Sequence, residues 1–166
     1  MLEMIPCYNC NHPNREPARF CVKCGSLLFL NNRYRVLRVI ARGGMGAVYL
    51  AQDTLRDLRV AIRARELRGL APNERQTVEV ETARELALLA GVKHPAIPVW
   101  IESFNDARAV YIVREFVDGE ALETVLAERG TPLPEIEALN YASQVCDALR
   151  YLHTQTPPVL HRDIKP

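Results

Sequence analysis

Four cysteines near the N-terminus constrain the fold of this chain more than any other feature of its sequence. They occur as CYNC and CVKC, a C-x2-C-x10-C-x2-C array formed by Cys7, Cys10, Cys21 and Cys24. Two residues between cysteines allow a tight turn that directs both sulfurs to one point, and two such turns supply the four thiolates of a tetrahedral zinc site. Residues 1–28 are too few to bury an apolar core, so bound Zn²⁺ would supply most of the folding energy of this segment.

The same cysteines could instead pair as two disulfides. Disulfides belong to oxidising compartments, and the N-terminus MLEMIPCYNC lacks the basic segment and apolar core of a secretion signal. We therefore expect a cytoplasmic protein with structural zinc. A closed site of four sulfurs leaves no coordination position for catalysis, so the segment is predicted to be structural or to dock another protein.

The overall composition is that of a soluble globular protein. Of the 166 residues, 48% are hydrophobic and 25% are charged, and the net charge is +1, so no nucleic-acid partner is expected. Uncharged apolar runs such as LALLAGV at 86–92 are far shorter than a membrane span, and no membrane segment is expected in this stretch. The length allows one ordinary domain, or a small module with part of a larger domain.

A glycine-rich turn follows the cysteine array. Glycines at 43, 44 and 46 interrupt two runs of β-forming residues in RVLRVIARGGMGAVYLAQD, residues 35–53, which predicts a β-hairpin. Glycine lets a backbone approach a ligand closely and direct its N–H groups to phosphate oxygens. A tight hairpin turn needs glycine in any case, so the glycines alone do not establish a ligand site.

The later segments predict an α+β fold built on an antiparallel sheet. VAIR at 60–63 predicts a strand, a helix is expected at about 73–90, and two strands flank NDAR. The second of these strands, in VYIVREFVDG, is expected to be buried and to run into a linker. From Leu133 onward, apolar residues recur with a helical period and predict a long helix that ends before HTQTPPVL.

Several of these segments together resemble a known family. GGMGAVYLA, VAIR, KHP, REFVDG and HRDIKP occur in the order and spacing of the bacterial serine/threonine protein kinases of the eukaryotic (Hanks) type. The similarity covers residues 33–166 and implies a kinase N-lobe at 33–118 and the incomplete beginning of the helical C-lobe at 119–166. The cysteine segment, 1–28, resembles the zinc ribbons fused to bacterial signalling proteins, and 29–32 would be a linker.

The resemblance implies a site for ATP and Mg²⁺. Arg63 would replace the lysine that grips the α- and β-phosphates, and Glu85 would pair with it, with Glu81 as the alternative. Asp163 would accept the proton of a protein substrate's hydroxyl group, and Lys165 would neutralise the transferring γ-phosphoryl group. The other nucleotide-binding positions implied by the family's motifs are Ala41, Gly43, Gly44 and Gly46 in the lid over ATP, Val48 and Ala61 on the adenine plane, and Glu115 and Val117 at the adenine edge.

The chain departs from the family pattern at three positions. Ala41 replaces the first glycine of the lid, Arg63 replaces the phosphate-gripping lysine, and Arg114 is a charged residue at the rear of the pocket. Arginine keeps the charge of lysine, but its flat fork differs from a compact ammonium group. The alternative predictions are therefore a pseudokinase or a zinc-ribbon interaction protein without phosphotransfer.

The sequence also predicts that this is part of a kinase. The family's magnesium-binding asparagine and its D-F-G aspartate would lie beyond residue 166, so the chain stops within the catalytic loop. We expect an N-terminal fragment of a longer kinase, with a kinase-derived remnant as the alternative. Residues 1–166 alone are predicted to be inactive, because phosphoryl transfer depends on metal-assisted positioning.

Overall fold

The computed structural model describes residues 4–43, 46–161 and 164. The chain divides into two compact units, one of Met1–Ala83 with Trp100–Phe116 and the other of Arg84–Val99 with Val117–Pro166. The elements in chain order are β1 (Met4–Pro6), β2 (Pro13–Arg15), β3 (Phe29–Leu30), β4 (Tyr34–Gly43), β5 (Gly46–Asp53), β6 (Leu58–Glu66), α1 (Pro72–Leu89), β7 (Trp100–Asn105), β8 (Ala109–Glu115), α2 (Leu122–Arg129) and α3 (Glu135–His153).

The first unit is dominated by a six-stranded antiparallel sheet. Its strand order is β3-β4-β5-β6-β8-β7, and every neighbouring pair is antiparallel. The predicted glycine hairpin is formed by β4 and β5, whose register places Gly43 opposite Gly46. The predicted VAIR strand lies within β6, and the predicted strand pair is β7 and β8. The predicted α+β fold class with an antiparallel sheet is thus confirmed.

The two faces of this sheet have different chemistry, because successive side chains of a strand point to opposite faces. One face, here called the apolar face, forms the main core of the unit. The other, here called the arginine face, carries alternate residues of β6, where Arg63 lies opposite Val48 on β5 and Ile112 on β8. The buried residues of the apolar face are Leu30, Tyr34, Val36, Ala51, Val60, Ile62, Ala64, Ala109, Tyr111 and Val113.

The cysteine segment covers part of the apolar face. This segment, called the ribbon and described over residues 4–28, has its own small core that includes Ile5, Leu28 and two of the cysteines. Tyr8 and Leu27 of the ribbon also pack against the core of the sheet. The ribbon is therefore part of the same apolar assembly as the sheet.

Polar contacts attach the ribbon to the turn between β7 and β8. The guanidinium of Arg19 forms an ion pair with Asp106, and that of Arg108 lies 4.4 Å from the ring centroid of Phe20. The predicted linker, 29–32, contains β3, which pairs with the start of β4 and has both residues buried. Ribbon and sheet are therefore joined by an ordered strand.

An ionic network joins Arg33, the residue before β4, to acidic side chains at the end of β5 and on β7. Arg33 donates to both carboxylate oxygens of Asp53, at 2.8 and 2.6 Å, and to Glu102 at 3.0 Å. Glu102 also accepts the hydroxyl of Tyr34 at 2.7 Å. The hydrogen bonds from Arg33 lower the pKa of the fully buried Asp53 carboxyl below its usual range. The network thus fixes one arginine against two acidic groups from different strands.

The second unit contains the C-terminal part of α1, the loop that follows it, α2 and α3. His94 in the loop is bonded through Nε2 to the carboxylate of Asp147 on α3, at 3.1 Å. The Lys93 backbone N–H donates to the hydroxyl of Tyr151 at 2.9 Å. These bonds attach the loop to α3. No helix in the described part of the chain is long and apolar enough to cross a membrane.

Candidate functional site

The two cysteine turns of the ribbon have the same backbone geometry. The N–H of Asn11 donates to the carbonyl of Cys7 at 2.8 Å, and the N–H of Gly25 donates to that of Cys21 at 2.9 Å. Asn11 and Gly25 are both left-handed, with φ of 57° and 71°. Glycine adopts this conformation freely, and asparagine is one of the few other residues that visit it routinely. Asn11 therefore forms the same kind of turn as Gly25.

The four sulfur atoms converge on one point. All four Sγ atoms lie within 4.8 Å of one another, and the Cys7–Cys24 and Cys10–Cys21 pairs are each 3.6 Å apart. A tetrahedron with Zn–S bonds of about 2.3 Å has edges of about 3.8 Å, whereas a disulfide is about 2.05 Å long. The arrangement fits a four-sulfur metal site and excludes the disulfide alternative in this structure.

Hydrogen-bond donors surround the sulfurs. The backbone N–H of Asn9 points to the sulfur of Cys7 at 3.4 Å, and the side-chain amide of the buried Asn14 points to that of Cys21 at 3.6 Å. Hydrogen bonds with the side chain and backbone of Ser26 lower the pKa of Cys24 to about 5. Such donors orient metal-binding thiolates and stabilise their charge. The cysteine cluster can therefore hold a metal ion.

At Gly46 the glycine hairpin has a position where any side chain would be strained. Gly46 has a φ of 141°, and a Cβ there would lie 1.9 Å from the carbonyl oxygen of Ala64 on β6. Gly43, directly opposite, has open space around its Cα. Gly46 therefore lets the hairpin tip pair closely with β6, while Gly43 leaves room beside the tip. Gly44 lies outside the described residues.

Four further predicted positions share the arginine face behind this tip, namely Ala41, Val48, Ala61 and Arg63. Val48 pairs with Ala41 on β4 and with Arg63 on β6. Ala61 lies two residues before Arg63 on the same face and pairs with Arg114 on β8. The sheet thus brings an apolar surface and an exposed guanidinium together next to the hairpin tip. This combination can accommodate a ligand with a flat apolar part and an anionic part.

Two of the three arginines on this face of β6, Arg63 and Arg65, have different surroundings. Arg63 is exposed and forms no ion pair with a described residue of its own unit. Arg65 donates to the hydroxyl of Thr82 on α1 at 3.0 Å and approaches the carboxylate of Glu81 at 3.6 Å. Glu81, the alternative partner predicted for Arg63, is therefore paired with Arg65. Arg65 was not predicted as a site residue, although its spacing from Arg63 puts both side chains on one face.

The remaining predicted residues are not assembled into a single described site. Glu85 belongs to the second unit and is half-buried on α1, one turn after the buried Thr82. Glu115 is exposed at the end of β8, and Val117 is exposed in the second unit. Asp163 and Lys165, the predicted catalytic residues, lie outside the described residues. Arg114 is also exposed, so its charge is not buried.

Comparison with known proteins gives the same family as the motifs. The protein kinase domain family matches residues 34–166. The chain is 33% identical over 162 residues to serine/threonine-protein kinase B of Synechocystis sp., covering 95% of this chain and 28% of that protein. It is 36% identical over 137 residues to serine/threonine-protein kinase PrkC of Bacillus subtilis, covering 82% and 20%.

Another similar protein is the probable serine/threonine-protein kinase YbdM of Bacillus subtilis, 32% identical over 139 residues, covering 83% of this chain and 52% of that protein. The chain thus spans about half, or less, of the length of these relatives. The family match covers the whole six-stranded sheet except β3, and also the three helices. On these grounds the chain belongs to the protein kinase family.

Proposed function

We propose that the protein containing this chain transfers the γ-phosphate of ATP to serine or threonine hydroxyls of other proteins. The observation that carries the proposal is the arginine face: a hairpin tip that requires glycine stands beside an exposed cation on the next strand. Backbone N–H groups at such a tip and a fixed positive charge are the groups that bind a polyphosphate. The family membership supports the same reaction.

The proposed roles divide between binding and chemistry. The hairpin, with Gly43, Gly44 and Gly46, would cover the phosphates, and Ala41 would stiffen it. Val48 and Ala61 would contact the adenine plane, because they supply the apolar part of the arginine face. The backbone of Glu115 and Val117 would meet the adenine edge. Mg²⁺, when bound with ATP, would neutralise phosphate charge; its protein ligands are expected beyond residue 166.

Arg63 is proposed to hold the phosphates, with Glu85 as its acidic partner. A guanidinium can bind two phosphate oxygens at once, whereas the usual lysine acts as a point charge. In the catalytic loop, Asp163 would accept the proton of the substrate hydroxyl and Lys165 would balance the charge of the γ-phosphoryl group. The reaction therefore needs charged groups from β6 and α1 together with those of the catalytic loop.

The exposed arginine also favours a second candidate function. If Arg63 cannot hold ATP in the reactive position, the protein is a pseudokinase that acts as a scaffold. The discriminating measurement is Mg-ATP binding by calorimetry, together with autophosphorylation, on the full-length protein and its Arg63→Lys and Arg63→Ala variants. Arg56→Lys, in an exposed turn, is the matched control.

If Arg63 is functional, the wild-type protein should bind Mg-ATP and autophosphorylate. The Arg63→Ala variant should then lose at least tenfold in affinity for Mg-ATP. Activity that arises only in Arg63→Lys would identify the native protein as a pseudokinase. No binding in any variant, with the protein folded, would refute both nucleotide-dependent functions and leave the interaction module.

We also infer that the four cysteines bind structural Zn²⁺. The sulfur separations match a zinc tetrahedron, and zinc-binding thiolates persist best in a reducing compartment such as the cytoplasm. Docking of another protein to the ribbon is confined to the side that does not face the sheet, where Val22 is 79% exposed. The metal content of purified protein should approach one zinc per chain.

A further inference from the structure

A small crevice lies between the ribbon and the apolar face of the sheet. Its volume is about 190 Å³, which is room for roughly six water molecules at about 30 Å³ each. Its floor is made of alanines on three neighbouring strands: Ala47 of β5 pairs with Ala64 of β6, and Ala109 begins β8. Farther along the same face, Ile62 and Val113 are larger and are fully buried. The crevice therefore exists because the floor residues are small.

The walls of the crevice are aromatic. Tyr8 and Phe20 belong to the ribbon, and Tyr49 and Tyr111 belong to the sheet. The hydroxyls of Tyr8 and Tyr49 donate to no other described residue. Burial raises the pKa of Tyr49 above its ordinary value, so its hydroxyl keeps its proton at neutral pH. The walls thus offer flat apolar surfaces and free hydroxyl donors.

The rim of the crevice is positively charged. It carries Arg42, Arg68 and Arg108 with one carboxylate, Glu66, a net charge of two positive units. The guanidinium of Arg108 stacks on Phe20. Neither Arg42 nor Arg68 forms an ion pair with a residue in the described ranges. Guanidinium groups bind carboxylates in a forked geometry, so this rim favours a carboxylate.

We propose that the crevice is a second ligand site, which binds a small aromatic carboxylate. The ring would lie on the alanine floor between the aromatic walls, and the carboxylate would face the arginine rim. Ala64 lies next to Arg63 in β6, so the crevice opens on the face opposite the proposed nucleotide site. The proposal therefore goes beyond the kinase function and does not depend on it.

The test is calorimetric titration of the zinc-loaded full-length protein with benzoate, and with the neutral isostere benzamide. We expect benzoate to bind with a dissociation constant on the order of a millimolar or tighter, and benzamide to bind at least tenfold more weakly. Benzoate should bind equally well in the presence of saturating Mg-ATP. No heat from benzoate up to tens of millimolar, or equal binding of benzamide, would overturn the proposal.

Two variants localise the site. Arg42→Gln/Arg68→Gln removes exposed charges, so it should fold normally and lose at least tenfold in benzoate affinity. Ala64→Leu should fill the floor and abolish binding. The matched controls are Arg56→Gln and Ala83→Leu, both at exposed positions outside the crevice. Unchanged benzoate binding in the double arginine variant would show that the ligand binds elsewhere and would refute the assignment.

Discussion

The two faces of the six-stranded sheet are built from the same strands but are covered in different ways. On the apolar face, Tyr34 and Ile62 are completely inaccessible, and the ribbon lies over part of that face. On the arginine face, Arg63 and Arg114 are exposed. The ribbon therefore supplies part of the cover of one face, whereas the other face exposes charged side chains.

The two faces should therefore contribute to different properties, the apolar face to stability and the arginine face to ligand binding. Burial of apolar surface stabilises a fold at about 25 cal/mol per Å², so the covered face carries much of the stability of the first unit. Exposed cations contribute little to stability, and their position next to the glycine hairpin fits a role in binding. Substitutions on the two faces should therefore change different measured quantities.

The largest effect should come from loss of the metal site. In a Cys21→Ser/Cys24→Ser variant two of the four ligands are absent, and the ribbon cannot hold its fold without them. Structural zinc sites contribute on the order of 10 kcal/mol to folding, so we expect a loss of more than about 5 kcal/mol. Because the ribbon packs on the apolar face, unfolding of the ribbon should also expose the sheet. Thermal unfolding and binding of a hydrophobic dye measure both consequences.

Cys146→Ser is the matched control, because Cys146 is an exposed cysteine on α3 outside the cluster. It should retain one zinc per chain and the wild-type melting temperature. If the double variant loses its zinc but melts at the wild-type temperature, the ribbon does not stabilise the sheet. The apolar face would then not depend on the ribbon for its stability.

A smaller but still large effect should follow from Asp53→Asn in the ionic network. This change removes one of the two carboxylates that face Arg33. Breaking a buried pair costs about 3–5 kcal/mol when the remaining charge is unpaired; because Glu102 still faces Arg33, we expect a loss of at most about 3 kcal/mol. Denaturant unfolding at neutral pH measures the loss. Asp57→Asn is the control, because Asp57 is exposed in the turn after β5, and asparagine suits its left-handed φ of 53°.

The same network gives a pH dependence with a defined sign. The folded-state pKa of Asp53 is lowered, so its stabilising contribution is present above the unfolded value of about 3.9. It is lost as the pH falls further, through the lowered folded-state pKa. The wild type should therefore lose stability below about pH 4 more steeply than Asp53→Asn does. If both proteins lose stability equally steeply with falling pH, protonation of Asp53 is not coupled to unfolding.

The parts of the fold that the sequence predicted are those specified by local patterns. The cysteine spacing predicted the metal cluster, runs of β-forming residues predicted the strands β4 to β8, and helical periodicity predicted α1 and α3. The short strands β1, β2 and β3 were not predicted. The short helix α2, of eight residues, was not predicted, because so short a segment gives little periodic signal. The predicted linker also proved to contain β3.

The contacts that could not be predicted join residues far apart in the chain. Arg19 and Asp106, which attach the ribbon to the β7–β8 turn, are 87 residues apart, and neither belongs to a motif. The contact between Arg65 and Thr82 likewise depends on how α1 lies against β6. Alternation along β6 puts Arg65 on the same face as Arg63, but it does not say which of the two reaches the helix.

The smallest predicted effect concerns the tip of the β4–β5 hairpin, which contributes to both faces of the sheet. Gly46→Ala places a Cβ against the carbonyl of Ala64 and forces alanine to a φ of 141°. Such backbone strain costs about 1–3 kcal/mol, and relief requires the hairpin to move away from β6. Gly43→Ala has open space and no positive φ, so it should cost less than about 1 kcal/mol. Denaturant unfolding of both variants, together with the Mg-ATP affinity of the full-length protein, provides the comparison.

Because the hairpin carries both the lid of the proposed nucleotide site and part of the apolar face, Gly46→Ala should lower stability and Mg-ATP affinity together. If stability falls while affinity is unchanged, the tip does not bind the phosphates, and the arginine face needs another ligand.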